Sequence, residues 1–83
     1  MKVQIRYFAS LRETLGMPGE TLETTSADVA ALRAELMAKG DAYAQALSSG
    51  RAVRVAVNQV MASGDTRLSE HCEVGFFPPV TGG

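Results

Sequence analysis

Residues 1–8 read MKVQIRYF, and this stretch decides the fold. Val3, Ile5 and Tyr7 alternate with Lys2, Gln4 and Arg6, a period of two that belongs to a strand with one buried face. By the same parity Phe8 falls on the polar side. Working outward, ASLRETLG (9–16) reads as a short helical turn or loop ended by Gly16. Pro18-Gly19 then turns the chain into ETLETT (20–25), a second strand and hairpin partner of the first.

The main helix is expected within TSADVAALRAELMAKG (25–40), from about Ala27 to Lys39. Thr25 or Ser26 is placed to cap it, and Asp28 suits the positive end of its dipole. Val29, Leu32 and Leu36 form one apolar stripe, and Lys39-Gly40 is a stop signal. DAYAQALSSG (41–50) predicts a shorter second helix, with Tyr43 and Leu47 four apart and Gly50 at its end. RAVRVAVN (51–58) returns to alternation, with Val53, Val55 and Val57 inward and Arg54 and Ala56 outward. An Asn58-Gln59 turn leads to a short strand VMA (60–62), and a Ser63-Gly64-Asp65 turn follows. The last strand is EVGFFP (73–78), closed by Pro78-Pro79 because neither proline can donate to a ladder.

This order implies an α+β, β-grasp (ubiquitin-like) architecture. One main helix seals one face of a mixed sheet, a short second helix accompanies it, and the final strand pairs centrally with the first. The expected core is Val3, Ile5, Val29, Leu32, Leu36, Val53, Val55, Val57, Val74 and Phe76. The expected division is a β-grasp domain over 1–79 and a flexible Gly-Gly tail over 80–83.

Composition narrows the function. A chain of 83 residues, 46% hydrophobic and 20% charged, is one small globular domain. A formal charge of −1, with its basic residues scattered, provides no drive toward nucleic acid or an anionic membrane. Cys72 is the only cysteine, which leaves no internal disulfide and no zinc cluster. No segment approaches the length of a membrane span, and the charged residues of the first strand are unlike a signal peptide. A cytoplasmic protein is expected.

Catalytic machinery is missing from the pattern. His71 and Cys72 are consecutive, so in an extended segment they point to opposite sides, and no third group orients them. They read as a surface histidine beside a small, semi-buried thiol. Glu13, Glu20, Glu23, Glu35, Asp65, Glu70 and Glu73 are dispersed, without the spacing of an acid–base pair or a metal cage, and read as a solvated surface. No glycine-rich loop opens a helix after a strand. The chain is expected to bind no metal or cofactor.

The tail is different. Pro78-Pro79 stiffens the exit from the sheet, and Val80, Thr81, Gly82 and Gly83 extend at most ~14 Å beyond it. Gly82 and Gly83 lack Cβ atoms, so this backbone can enter a slot too narrow for other residues. The distinctive group is the α-carboxylate of Gly83. At neutral pH it is an anion and a poor electrophile, and ATP-dependent adenylation would give it a leaving group. A sulfur nucleophile would then yield a thiocarboxylate, and an amine would yield a protein conjugate.

YFASLRETLG near the start, VAVNQ in the middle and EVGFFPPVTGG at the end together resemble the family of small, sulfur-carrier subunits of molybdopterin synthase. The resemblance covers essentially the whole chain and is most specific at the C-terminal motif. It implies a β-grasp fold and a cycle in which an adenylating enzyme uses ATP to charge Gly83. A persulfide donor then yields the thiocarboxylate, and the large synthase subunit, in an expected heterotetramer, receives the tail. There the sulfur passes to a pterin precursor of the molybdenum cofactor. The sequence departs from the family in one turn, where Glu70-His71-Cys72 replaces an acidic-Gly-Asp pattern; glycine there supports φ > 0, which histidine tolerates less well.

Two related readings share the same adenylate chemistry, a carrier for thiazole synthesis and a ubiquitin-like protein modifier. A β-grasp interaction module with an inert tail is a third alternative. Strand parity places Phe8 and Phe77 on the outer sheet face, and Met61 also if Val60 is buried. These three, with tail residues Pro78, Pro79, Val80 and Thr81, are the expected partner-binding set, because apolar side chains on an exposed face call for a cover.

Overall fold

The computed structural model describes residues 1–48 and 52–78. Strands β1 (Lys2–Tyr7) and β2 (Gly19–Glu23) form an antiparallel hairpin around the short helix α1 (Ser10–Leu15). Helices α2 (Val29–Met37) and α3 (Asp41–Leu47) follow, then β3 (Arg54–Val57), β4 (Val60–Ala62) and β5 (Glu73–Phe77). The five strands form one sheet in the order β2-β1-β5-β3-β4. β5 runs parallel to β1, with Ile5 opposite Val74 and Tyr7 opposite Phe76, and antiparallel to β3. This is the expected β-grasp, with the first and last strands paired at the centre.

Local chemistry accounts for most boundaries. Gly16 ends α1 in the left-handed conformation (φ 74°) that glycine adopts without a Cβ penalty. Asn58 and Gln59 both take positive φ, 51° and 69°, the geometry of a tight hairpin turn between β3 and β4. Asn58 fits that role because its Oδ1 also accepts a hydrogen bond from the Glu73 N–H at 2.9 Å.

The start of α2 corrects the expected cap. Asp28, rather than Thr25 or Ser26, is the N-cap, its Oδ1 accepting from the Ala31 N–H at 2.9 Å. Ser26 is engaged elsewhere, since its hydroxyl donates to Glu35 at 2.9 Å while buried Thr24 donates to the same carboxylate oxygen. The helix ends at Met37 with a right-handed cap at Ala38, so Gly40 is not a left-handed stop and instead precedes α3. Arg33 of α2 closes the end of α3, donating to the carbonyls of Leu47 at 2.6 Å and Ser48 at 2.8 Å. The expected stop at Gly50 lies outside the described residues.

Val3, Ile5, Val29, Leu32, Leu36, Val74 and Phe76 are buried, as their periodicity predicts. Tyr7, Leu11, Ala46, Leu47 and Cys72 complete the core; Cys72 is fully buried rather than semi-buried. Val53, Val55 and Val57 are only half-buried. Val53 and Val55 face a groove of about 590 Å³ whose described lining includes Val29, Ala34 and Met37 of α2 and Ala62 of β4. Val60 is 69% exposed, because β4 is a three-residue edge strand beyond this groove. The domain boundary at 79 and the tail over 80–83 lie outside the described residues.

Candidate functional site

Among the described residues, the sheet has an inner face buried under the helices and an outer face without a helix. Registers settle which residues share the outer face: Arg6 and Ala56 flank Gly75, Met61 lies opposite Ala56, and Arg54 lies opposite Phe77. Phe8 extends the β1 ladder by donating its N–H to the Phe76 carbonyl at 3.1 Å. Its ring lies over Gly75, where an added Cβ would sit 3.1 Å from Phe8 Cε2. Phe8, Gly75, Ala56 and Met61 thus make an apolar strip across three adjacent strands and the edge.

Phe8 and Met61 are 43% and 56% exposed, and Phe77 and Pro78 are half-buried. Register puts Met61 on the outer parity opposite Ala56, but at the edge of the sheet it also lines the groove beside α2. Val60, on the opposite parity, is itself exposed. Gly75 is the part of this surface that sequence reasoning missed. The available signal was a glycine inside a strand otherwise made of large residues, which marks a close approach by another group. Ala9, directly after Phe8, holds φ 52° and ψ −127°, a conformation a Cβ disfavours; it turns the chain from β1 into α1. Charges border the strip, with Arg6 paired to Glu73 at 3.4 Å and Arg54 exposed beside Phe77.

A second cluster lies on the helix side of the sheet. Glu20 on β2 accepts from the Tyr7 hydroxyl at 2.8 Å and the Tyr43 hydroxyl at 2.9 Å through Oε2, and from Lys39 Nζ at 2.9 Å through Oε1. Burial pushes the Glu20 carboxyl up, but hydrogen bonds from Lys39, Tyr7 and Tyr43 outweigh it and leave its pKa below the ordinary carboxylate value. The Tyr7 hydroxyl is driven well above its usual range, first by burial and then by the Glu20 hydrogen bond. Glu20 and Glu35 are therefore organised groups rather than part of the solvated surface expected for the carboxylates.

His71 and Cys72 do not meet as a catalytic pair: the thiol is buried and the imidazole is exposed. His71 adopts φ 64°, the left-handed conformation that glycine takes without a Cβ penalty and histidine tolerates less well. Its N–H donates to the Lys2 carbonyl at 2.7 Å, and Glu70 accepts from the Lys2 N–H at 2.7 Å, which ties the turn to the start of β1. Among the described residues no group of three or more His, Cys, Asp or Glu could hold a metal ion, and no helix is long and apolar enough to cross a membrane. Pro79, Val80, Thr81, Gly82 and Gly83 lie outside the described residues; the strand that leads to them ends at Phe77.

Residues 5–83 match the ThiS family. The chain belongs to that family. This ThiS-family chain is 40% identical over 81 residues to the molybdopterin synthase sulfur carrier subunit of Escherichia coli (strain K12), spanning 98% of this chain and 99% of the relative. Its fold matches that of the small archaeal modifier protein 1 from Methanosarcina acetivorans, with a TM-score of 0.79, 25% identity, and coverage of 99% of this chain and 96% of that one. A Helicobacter pylori structure, a complex of subunits 1 and 2 of molybdopterin-converting factor, matches over 100% of both chains with a TM-score of 0.70 and 23% identity, a likeness of fold.

Proposed function

We propose that this ThiS-family chain is the sulfur carrier subunit of a molybdopterin synthase, acting in the cytoplasm. The observation that carries the reading is the 40% identity to a named sulfur carrier along nearly the full length of both chains. The apolar outer strip supports it, because a carrier without its own catalytic groups needs a face by which other proteins take hold of it.

In this reading Gly83 is the reacting residue. An adenylating enzyme that binds ATP directs the Gly83 carboxylate onto the α-phosphorus; pyrophosphate leaves and an acyl-adenylate forms. A persulfide sulfur attacks the carbonyl carbon and AMP leaves. A thiol then cleaves the resulting disulfide link, releasing the thiocarboxylate. The large subunit covers Phe8, Met61 and Phe77 and receives Pro78 to Gly83, with Gly82 keeping the passage free of side chains. The chain itself binds neither ATP nor a metal.

Deletion of Gly83 tests the chemistry. Pyrophosphate exchange with the adenylating enzyme and the sulfur-for-oxygen mass change should both vanish, while thermal unfolding stays as in the full chain. If the shortened chain still accepts AMP and sulfur, the reading fails. The fold likeness to a small archaeal modifier protein favours a second reading, conjugation to lysines of other proteins. Intact masses from the native cell separate the two, as a carrier gains sulfur and a modifier gives ladders of larger adducts.

A further inference from the structure

We infer that Glu20 holds Lys39 in a clamp that keeps this amine from capturing the activated tail of the chain. The inference rests on the reading that Gly83 becomes an acyl donor. Such a donor is open to any free amine: the nitrogen lone pair attacks the carbonyl carbon and an amide forms. The bond to the leaving group breaks, and the amine proton passes to water. The product is a dead end for a sulfur carrier.

The chain has two lysines, Lys2 and Lys39. Lys2 begins β1, and since β1 and β5 are parallel, it lies at the end of the sheet opposite the exit at Phe77. The Met1 ammonium lies at that same end, bonded to Glu23 at 2.8 Å and to the Thr24 carbonyl at 2.9 Å. Lys39 is placed differently. Through Glu20 it connects to Tyr7, which is opposite Phe76 in register with ring centroids 6.3 Å apart, two residues before Pro78. Five residues beyond Pro78 can span up to ~17 Å. Of the two lysines, Lys39 is thus the one nearer the end of the sheet at which β5 ends.

Its Nζ is held 2.9 Å from Glu20 Oε1 and 4.9 Å from the centroid of the Tyr43 ring. The carboxylate is itself fixed by two tyrosine hydroxyls on its other oxygen. The Glu20 hydrogen bond, against a smaller effect of burial, raises the Lys39 pKa, and an ammonium has no lone pair to give. The clamp therefore acts on both protonation and direction.

The test uses the full chain prepared with Gly83 as a C-terminal thioester by intein release, so activation does not depend on the adenylating enzyme. Wild type, Glu20→Gln and the double variant Glu20→Gln/Lys39→Arg are incubated at pH 8 and followed by intact mass and peptide mapping. Glu20→Gln keeps a polar partner for both tyrosines while removing the charge. The expected result is hydrolysis in wild type, several-fold more Lys39-linked product in Glu20→Gln, and none in the double variant. Competition for acetic anhydride gives a second measure, with Lys39 modified several-fold more slowly than Lys2 in wild type. Equal Lys39 adducts in wild type and Glu20→Gln, or none in either, overturn the inference. If Glu20→Gln does not fold, wild-type Lys39 reacting as fast as Lys2 overturns it alone. Failure of the wild-type chain to be adenylated by the natural enzyme would sink the carrier reading and leave the thioester result standing.

Discussion

The two faces of one sheet do different work. On the inner face Val3, Ile5, Tyr7, Val74 and Phe76 are at most 1% exposed and join Leu11, Leu32, Leu36 and Leu47 from the three helices. On the outer face the very next residues along the same strands, Gln4, Arg6, Phe8, Gly75 and Phe77, have no helix above them. On the proposed function, alternation along a strand therefore separates stability from recognition at single-residue resolution. Substitutions on one parity should change folding, and those on the other should change binding.

The largest effect that could break this division is Leu32→Ala. It should cost about 2–5 kcal/mol of stability by urea denaturation, as for other truncations in closed cores. A loss no greater than that of an outer-face variant would refute the division. Phe77→Ala should reverse the pattern: about 2 kcal/mol weaker binding to the large subunit by calorimetry, with little change in the denaturation midpoint. Unchanged affinity with an intact fold removes Phe77 from the interface. Gly75→Ala sharpens the comparison, because its Cβ would displace the Phe8 ring. Affinity should fall by about 1 kcal/mol, with less loss of stability, and an unmoved Phe8 in the variant's structure would contradict this.

His71→Gly should raise stability by about 0.5–1 kcal/mol in thermal unfolding, since relief of a left-handed residue exceeds the entropy cost of glycine. Binding through the outer face should not change, as this turn lies at the opposite end of the sheet from the exit. The smallest effect is in pH dependence. Glu20 has a lowered folded pKa, so its contribution is complete above the unfolded value of 4.5 and fades as pH falls through the folded value. Tyr7 is raised, so its contribution is complete below 10.0 and is lost at higher pH. Glu20→Gln should flatten the acid arm of a stability–pH curve; an unchanged acid arm would show that the clamp contributes nothing there.

Much of this was legible in the sequence, because the signals were local. The alternation of MKVQIRYF, the Asn58-Gln59 turn and the strand VMA depend only on neighbours, and each stands where it was expected. Parity also placed Val53, Val55 and Val57 inward, but their half-burial depends on how far α2 reaches across the sheet, which no local pattern encodes. The choice of Asp28 over Thr25 or Ser26 as cap was hidden for the same reason, since the Glu35 carboxylate that engages Ser26 arrives from a later turn of the helix. Glu20 looked like one solvated carboxylate among many. Its role emerges only when β1, β2 and the ends of α2 and α3 bring Tyr7, Lys39 and Tyr43 to it.

The parallel pairing of β1 and β5 also has a mechanical consequence. A pull applied between the start of β1 and the chain beyond β5 runs along both strands in opposite senses. Their evenly spaced hydrogen bonds then resist together in shear, whereas a pull across an edge strand would part its bonds one at a time. Single-molecule stretching should need a higher force between the chain ends than between β4 and β3. A tail drawn from a deep slot would thus tug the domain along its strongest axis, and the domain would come away with its shape intact.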